Sequence, residues 1–232
     1  MLKHARPPIK AVAFDLDGTL VDSAPDLQAA LNRVTAWAGR NPFSVDEVKG
    51  MVGDGTKKLI ERALEASGGP ENGDMAETHA RWFARFTEEY QGCNSEQTRP
   101  YPGVVETLAR LDEEGYHLGV CTNKPQAATI RILETFALSV FFDAVVGGDL
   151  LDNDVRKPDP LHLTATLDGL GVEPAEAVMV GDHLNDLACA RGAGARVVLC
   201  TYGYSRVPVD TLGADAVIDR FSDLPDALAS LA

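Results

Sequence analysis

A chain of 232 residues is long enough for one large domain or for a domain that carries an insertion. With 45% hydrophobic and 24% charged residues, its composition is that of an ordinary soluble globular protein. Acids outnumber bases 35 to 21, and the resulting charge of −14 disfavours nucleic acid and anionic membrane surfaces as partners. The same field repels an anionic small substrate, so any phosphate site needs its own local cations or backbone donors. The four cysteines, Cys93, Cys121, Cys189 and Cys200, have no metal-type spacing. Cys121 and Cys200 end apolar runs and read as core thiols, and no disulfide is expected. Residues 1–8 are basic but lack an apolar run, so no signal peptide is expected. No stretch approaches transmembrane length, and a cytoplasmic protein is expected.

Residues 9–14 form an apolar run that reads as a short buried strand. Asp15 and Asp17 follow where the strand should end, and Gly18 and Thr19 come directly after them. Two acids at that edge are placed to hold a cation, and one of them to attack a substrate. An Asp-Gly turn with solvated carboxylates is the alternative at this point. Residues 22–96 then show helical patterns and no strand. Pro25 sits near the start of a first helix, whose apolar positions are Leu27, Leu31, Val34 and Ala38. Ser44 and Glu47 make a capping box for a short second helix. After the loop Gly53-Asp54-Gly55, residues 56–66 form a third helix with Leu59, Ile60, Ala63 and Leu64 on one face. Residues 75–90 form a fourth, whose Trp82, Phe83, Phe86 and Tyr90 are expected in a core rather than around a ligand.

From residue 101 the pattern alternates. Helices are expected at 104–114, 125–136, 159–170, 184–191 and 224–231. Strands are expected at 116–121, 142–146, 177–180, 196–200 and 216–218. The strands are near-continuous apolar runs, as buried parallel strands should be. The expected fold class is therefore α/β, a Rossmann-like parallel sheet with helices on both faces. Residues 21–96 are a helical insertion, and residues 1–20 and 97–232 form the α/β domain.

The other strand ends test Asp15 and Asp17. Residues 116–121 end in Thr122-Asn123-Lys124, residues 142–146 lead through a polar loop to Lys157-Pro158, and residues 177–180 end in Gly181-Asp182, with Asp186 following. In a parallel sheet these ends share one edge, so a hydroxyl, an amide, a lysine and several carboxylates converge there.

In these motifs the sequence resembles the haloacid dehalogenase-type phosphotransferase superfamily, over essentially the whole chain. Its insert, with Val52-Gly53-Asp54-Gly55 and the following helix, is similar to the cap of bacterial phosphoglycolate phosphatases. The resemblance implies a magnesium-dependent phosphatase of a small phosphorylated metabolite, with 2-phosphoglycolate the leading substrate. Residues 21–96 would be its cap. Asp15 would be the nucleophile, forming an aspartyl-phosphate, and Asp17 the general acid and base. Mg2+ would be held by Asp15, Asp182 and the main-chain carbonyl of Asp17. Thr122, the Asn123 amide and Lys157 would bind the phosphoryl oxygens, and Asp186 would orient Lys157 or a metal-bound water. Lys57, Lys58 and Arg62 are placed either to meet a substrate carboxylate or to form a solvated basic face. His183 is expected near the site or at the surface, not as a metal ligand. The alternatives are a phosphosugar mutase resembling β-phosphoglucomutase and a phosphatase of pyrophosphate, a sugar phosphate or a nucleotide. A non-catalytic binding protein on the same fold is a third, against which the intact acids argue. Monomer and homodimer both stay open.

Overall fold

The computed structural model describes residues 7–71, 73–92 and 95–231. The first six residues, and with them most of the basic N-terminal segment, lie outside these, as does Cys93. The chain opens with β1 (Ala11–Phe14) and a two-residue strand β2 (Val21–Asp22). Four helices follow, α1 (Ala24–Trp37), α2 (Val45–Lys49), α3 (Thr56–Ala66) and α4 (Met75–Gln91). It returns through β3 (Arg99–Pro100), α5 (Val104–Glu113), β4 (His117–Cys121), α6 (Gln126–Thr135) and β5 (Ala144–Val146). It ends with α7 (Pro160–Leu170), β6 (Ala177–Gly181), α8 (Leu184–Ala193), β7 (Arg196–Cys200), β8 (Ala216–Ile218) and α9 (Leu224–Leu231).

The sheet order is β5-β4-β1-β6-β7-β8, and every neighbouring pair is parallel. This is the α/β fold expected from the alternating pattern. Because side chains alternate along a strand, β1 feeds two cores. Val12 and Phe14 pack with Leu108 and Leu111 of α5 and Leu224 of α9. Ala11 and Ala13 pack on the opposite face with Leu163 and Leu167 of α7 and Ala190 of α8. The small residues on that side let α7 lie close to the sheet. Burying a side chain such as Phe14 contributes about 1.5–3 kcal/mol. The chain leaves β1 for β4 and β5 on one side and returns to β6 on the other. β1 therefore stands at the topological switch point, where the crevice at the carboxyl ends opens.

Helices α1 to α4 build a separate hydrophobic cluster, with Leu31, Val34, Ile60, Leu64, Trp82 and Phe86 at its centre. The capping box at Ser44 is formed. Two short strands carry the chain into and out of this unit. Val21 pairs with Pro100 and Asp22 with Arg99, antiparallel. Buried Asp26 ties the same junction, accepting hydrogen bonds from the Thr98 N–H at 2.7 Å and the Thr98 hydroxyl at 2.6 Å. The sequence reading has no strand here, because two residues carry no periodicity. Cys121, Cys189 and Cys200 are buried free thiols. Among the described residues no helix is long and apolar enough to cross a membrane.

Candidate active site

Asp15 is the first residue beyond β1. Its N–H donates to the Val180 carbonyl of β6 at 2.9 Å, which keeps the loop in sheet register and stands the carboxylate on the sheet edge. Oδ1 accepts from the Leu16 N–H at 2.7 Å and lies 3.0 Å from Lys157 Nζ. The Thr122 hydroxyl stands near enough to this carboxylate to favour its charged form. Lys157 Nζ donates to Asp186 Oδ1 at 2.7 Å, and the lysine is only 2% exposed. Burial works against the Lys157 cation, but Asp15 and Asp186 overcome it and hold the ammonium above its ordinary range. Asp186 sits in the first turn of α8, and its Oδ2 accepts from the N–H groups of Asp182 at 3.2 Å and His183 at 2.9 Å. One side chain therefore fixes both the lysine and the turn that presents Asp182.

Asp182 Oδ1 accepts from the Thr19 hydroxyl at 3.3 Å, and its Oδ2 accepts from the Tyr204 N–H. Carboxylate oxygens of Asp15, Asp182 and Asp186 all lie within 4.8 Å of one another. Burial, and then the neighbouring acids, push the Asp182 carboxyl well above the usual carboxylate range. Burial also raises Asp15, against the pull of Lys157. Converging buried carboxylates that resist ionisation suit a hard divalent cation, for which oxygen donors are the natural set. Two glycines admit this packing for steric reasons. A Cβ at Gly203 would overlap the Asp182 carboxyl, and one at Gly181 would overlap that of Asp186.

Asp17 is not among the three converging acids. Both its carboxylate oxygens lie 3.0 Å from Lys124 Nζ, and Oδ1 accepts from the Ser23 hydroxyl at 2.5 Å. Lys124 is buried, and its ammonium lies 4.9 Å from the centre of the Tyr90 ring on α4. Burial opposes its charge, but Asp17 and Tyr90 hold it above its ordinary range. The sequence marks Lys124 only by its place beside Thr122 and Asn123 and assigns it no role. The Asn123 side chain is a tie between elements: its amide nitrogen donates to the carbonyls of Gly53 at 2.9 Å and Lys157 at 2.8 Å. Its donors are thus committed to carbonyls, which leaves the main-chain amide for any anion. His183 caps α8, accepting from the Asn185 N–H at 3.3 Å, and packs against Gly53. It stands outside the group of converging acids.

Above the acids lies a cavity of about 240 Å3 between the helical unit and the sheet edge. Asp15, Asp17, Thr122 and Lys124 line its floor, and Leu59, Phe83, Phe86 and Tyr90 line its roof. The aromatic stripe of α4 therefore serves two surfaces. Trp82 and Phe86 pack in the helical core, while Phe83, Phe86 and Tyr90 face the cavity, because α4 lies between the two. Lys57, Lys58 and Arg62 do not line it. Lys57 pairs with Asp154 at 3.4 Å, Lys58 with Glu61 at 2.7 Å, and Arg62 with Asp54. The loop from Gly50 to Gly55 closes one side. Arg206 donates to the carbonyls of Gly50 at 2.9 Å and Val52 at 3.0 Å and to Asp54 Oδ2 at 2.8 Å. Asn185 donates to Asp54 Oδ1 at 2.6 Å. Burial raises the Asp54 carboxyl, but its bonds from Arg206, Asn185 and Arg62 outweigh that and hold it well below the usual range.

This geometry has counterparts among known proteins. The model of the haloacid dehalogenase-like hydrolases matches residues 12–200, which spans β1, the helical unit and the sheet through β7. The chain belongs to the haloacid dehalogenase-like hydrolase family. It is 44% identical to a phosphoglycolate phosphatase of Caulobacter vibrioides, over 95% of this chain and 91% of that one. It is 47% identical to a phosphoglycolate phosphatase of Rhodospirillum rubrum, over 94% of this chain and 90% of that one. A crystal structure from Haemophilus somnus, described as a predicted phosphoglycolate phosphatase, superposes with a TM-score of 0.87 at 31% identity, covering 96% of this chain and 99% of that one. This haloacid dehalogenase-like hydrolase is thus an enzyme whose relatives are phosphoric monoester hydrolases.

Proposed function

We propose that the chain hydrolyses 2-phosphoglycolate to glycolate and phosphate through an aspartyl-phosphate. The observation that carries this reading is Asp15, on the floor of a cavity that Asp17 also lines, with the buried Lys157 ammonium 3.0 Å behind its carboxylate. The relatives' activity narrows the substrate. Residues 1–20 and 97–232 form the catalytic core, and residues 21–96 form a cap that excludes water and shapes the cavity.

Phosphate monoesters hydrolyse extremely slowly alone, and two easier steps replace one hard one. In the first, an Asp15 carboxylate oxygen forms a bond to phosphorus as the bond to the ester oxygen breaks, and Asp17 gives that oxygen a proton. Glycolate leaves. In the second, Asp17 takes a proton from a water whose oxygen attacks phosphorus, and the acyl-phosphate bond breaks to free phosphate and Asp15. Lys157, already against Asp15, meets the oxygens of a phosphoryl group carried there, with the Thr122 hydroxyl and the Asn123 main-chain amide. Mg2+, held by Asp15, Asp182 and the Asp17 carbonyl, would supply neutralising charge for the phosphoryl group. Asp186 acts on Lys157 and on the turn before α8.

A phosphate-release screen over small phosphate esters with magnesium tests the substrate. The expected result is a preference for 2-phosphoglycolate in kcat/KM. A large margin for sugar phosphates, nucleotides or pyrophosphate would overturn it, as would a sugar isomer formed without phosphate release.

A further inference from the structure

We infer that Lys124 binds the carboxylate of the substrate, and so selects phosphate esters whose leaving group is a small hydroxy acid. The inference rests on the 2-phosphoglycolate reading and assigns its specificity to one residue. In such an ester the carboxylate is borne on the carbon next to the ester oxygen. A group that protonates the ester oxygen is therefore also close to the carboxylate. Lys124 Nζ stands 3.0 Å from both oxygens of Asp17, the proposed proton donor, and its side chain is 3% exposed.

The rest of the cavity offers little competition. The cations lining it are Lys124 and Arg131, and Arg131 is directed to the rim, where Nη1 donates to the Gln91 carbonyl at 3.0 Å. The basic residues of α3 are paired elsewhere. The remaining roof, Leu59, Phe83 and Phe86, is apolar, and the other polar residues of the upper lining, Thr56, Thr87 and Gln91, are uncharged. A carboxylate entering a largely apolar chamber needs a charged partner there, and the low polarity strengthens the attraction once made. An ammonium has three N–H donors, so Lys124 can take a second carboxylate beside Asp17 or in exchange for it. Exchange has a further effect. A carboxylate that draws Lys124 away frees Asp17 to turn to the ester oxygen, so recognition of the acid and placement of the proton donor become one event. Tyr90, the aromatic neighbour of Lys124, belongs to α4, so the exchange is felt directly by the helical unit.

The test compares 2-phosphoglycolate with ethyl phosphate, which has a methyl group in place of the carboxylate. Steady-state kcat and KM are measured for both in the wild type and in Lys124→Met. A wild type without preference for 2-phosphoglycolate removes the substrate reading and this inference with it. With the preference present, the inference predicts that Lys124→Met lowers the ratio of the two kcat/KM values by about 10- to 100-fold, the effect of losing one charge-assisted contact. A Lys124 that served only to hold Asp17 would lower both substrates alike and leave the ratio unchanged, and that result overturns the inference. Should Lys124→Met fail to fold, the double variant Asp17→Asn/Lys124→Met removes both buried charges together. Isothermal titration then makes the comparison, with Asp17→Asn as reference. The double variant must lose the tighter binding of 2-phosphoglycolate that Asp17→Asn shows; equal retention overturns the inference.

Discussion

Asp15 is surrounded by groups that an asparagine would largely keep satisfied. Asn Oδ1 can still accept from the Leu16 N–H, and Lys157 retains Asp186 at 2.7 Å. In EDTA, Asp15→Asn is therefore expected to fold and melt like the wild type, and with Mg2+ to lose turnover by ~10³-fold or more, because an amide oxygen is a poor nucleophile. Phosphate release near the wild-type rate would sink the covalent mechanism. His162 supports the same lysine from beneath, its Nδ1 accepting from the Lys157 main-chain N–H at 3.1 Å. Burial, and then the Lys157 charge, lower its pKa from 6.5 to about 4. Below about pH 6.5 the unfolded chain takes up a proton at this ring that the folded chain refuses, so the stability due to the neutral ring is lost as pH falls towards 4. Urea unfolding of wild type and His162→Gln between pH 7 and 4 checks this. The wild type should lose about 2–3 kcal/mol more than the variant, and parallel curves would count against it. Asp15 and Asp182 are legible in the sequence because each follows an apolar strand whose end must lie on the shared edge, and Lys157 because the loop that leaves β5 starts from that edge. The pairing of Lys124 with Asp17, and the bond from the Tyr204 N–H to Asp182, join loops far apart in the chain. No local pattern encodes which loops meet.

At the level of elements, the loop Gly50–Gly55 ties the helical unit to the core. Its carbonyls and Asp54 are held by Arg206, which follows β7, and by Asn185 of α8. The low pKa of Asp54 follows from these bonds, so the carboxylate side of this latch should persist on acidification below the usual carboxylate range. Arg206→Ala removes three hydrogen bonds at once. Arg206 is partly exposed, so the loss is moderated by water. We expect kcat/KM to fall by ~10-fold, and amide exchange to rise at residues 50–56 while β1, β4 and β6 stay protected. Unchanged exchange in that loop would remove the latch. The helices were readable from their apolar faces and caps, the strands from their apolar runs. The β2–β3 ribbon was not, because its residues hold their shape only by pairing with each other across the whole insert. The periodicity of α4 predicts a core face alone. Its period gives one apolar stripe, and the sequence does not say that the stripe is wide enough to meet both the helical core and the cavity.

Taken whole, the molecule is acidic, at −14, yet its proposed substrate is an anion. Lys157 and Lys124 are each already balanced by an acid, so they alone leave the phosphate poorly matched. A bound divalent cation would resolve two problems at once. It would offset the phosphate and relieve the mutual repulsion of Asp15, Asp182 and Asp186, whose oxygens converge within 4.8 Å. The second effect is a stability effect and needs no substrate to observe. A ligand that binds only the folded state at about a hundred times its Kd adds roughly 2.7 kcal/mol, which for a chain of this length raises Tm by roughly 5–10 °C. Melting the wild type in excess Mg2+ and in EDTA should show that difference, and EDTA should abolish phosphate release reversibly. Asp182→Asn should behave in the opposite way. It removes one of the repelling charges, so in EDTA it should melt at or above the wild type, and it should gain little from Mg2+. Equal melting of the wild type with and without the metal, together with full activity in EDTA, would refute the assignment of these acids to a cation. A wild type stabilised by Mg2+ beside an Asp182→Asn variant stabilised equally would refute the place of Asp182 in it.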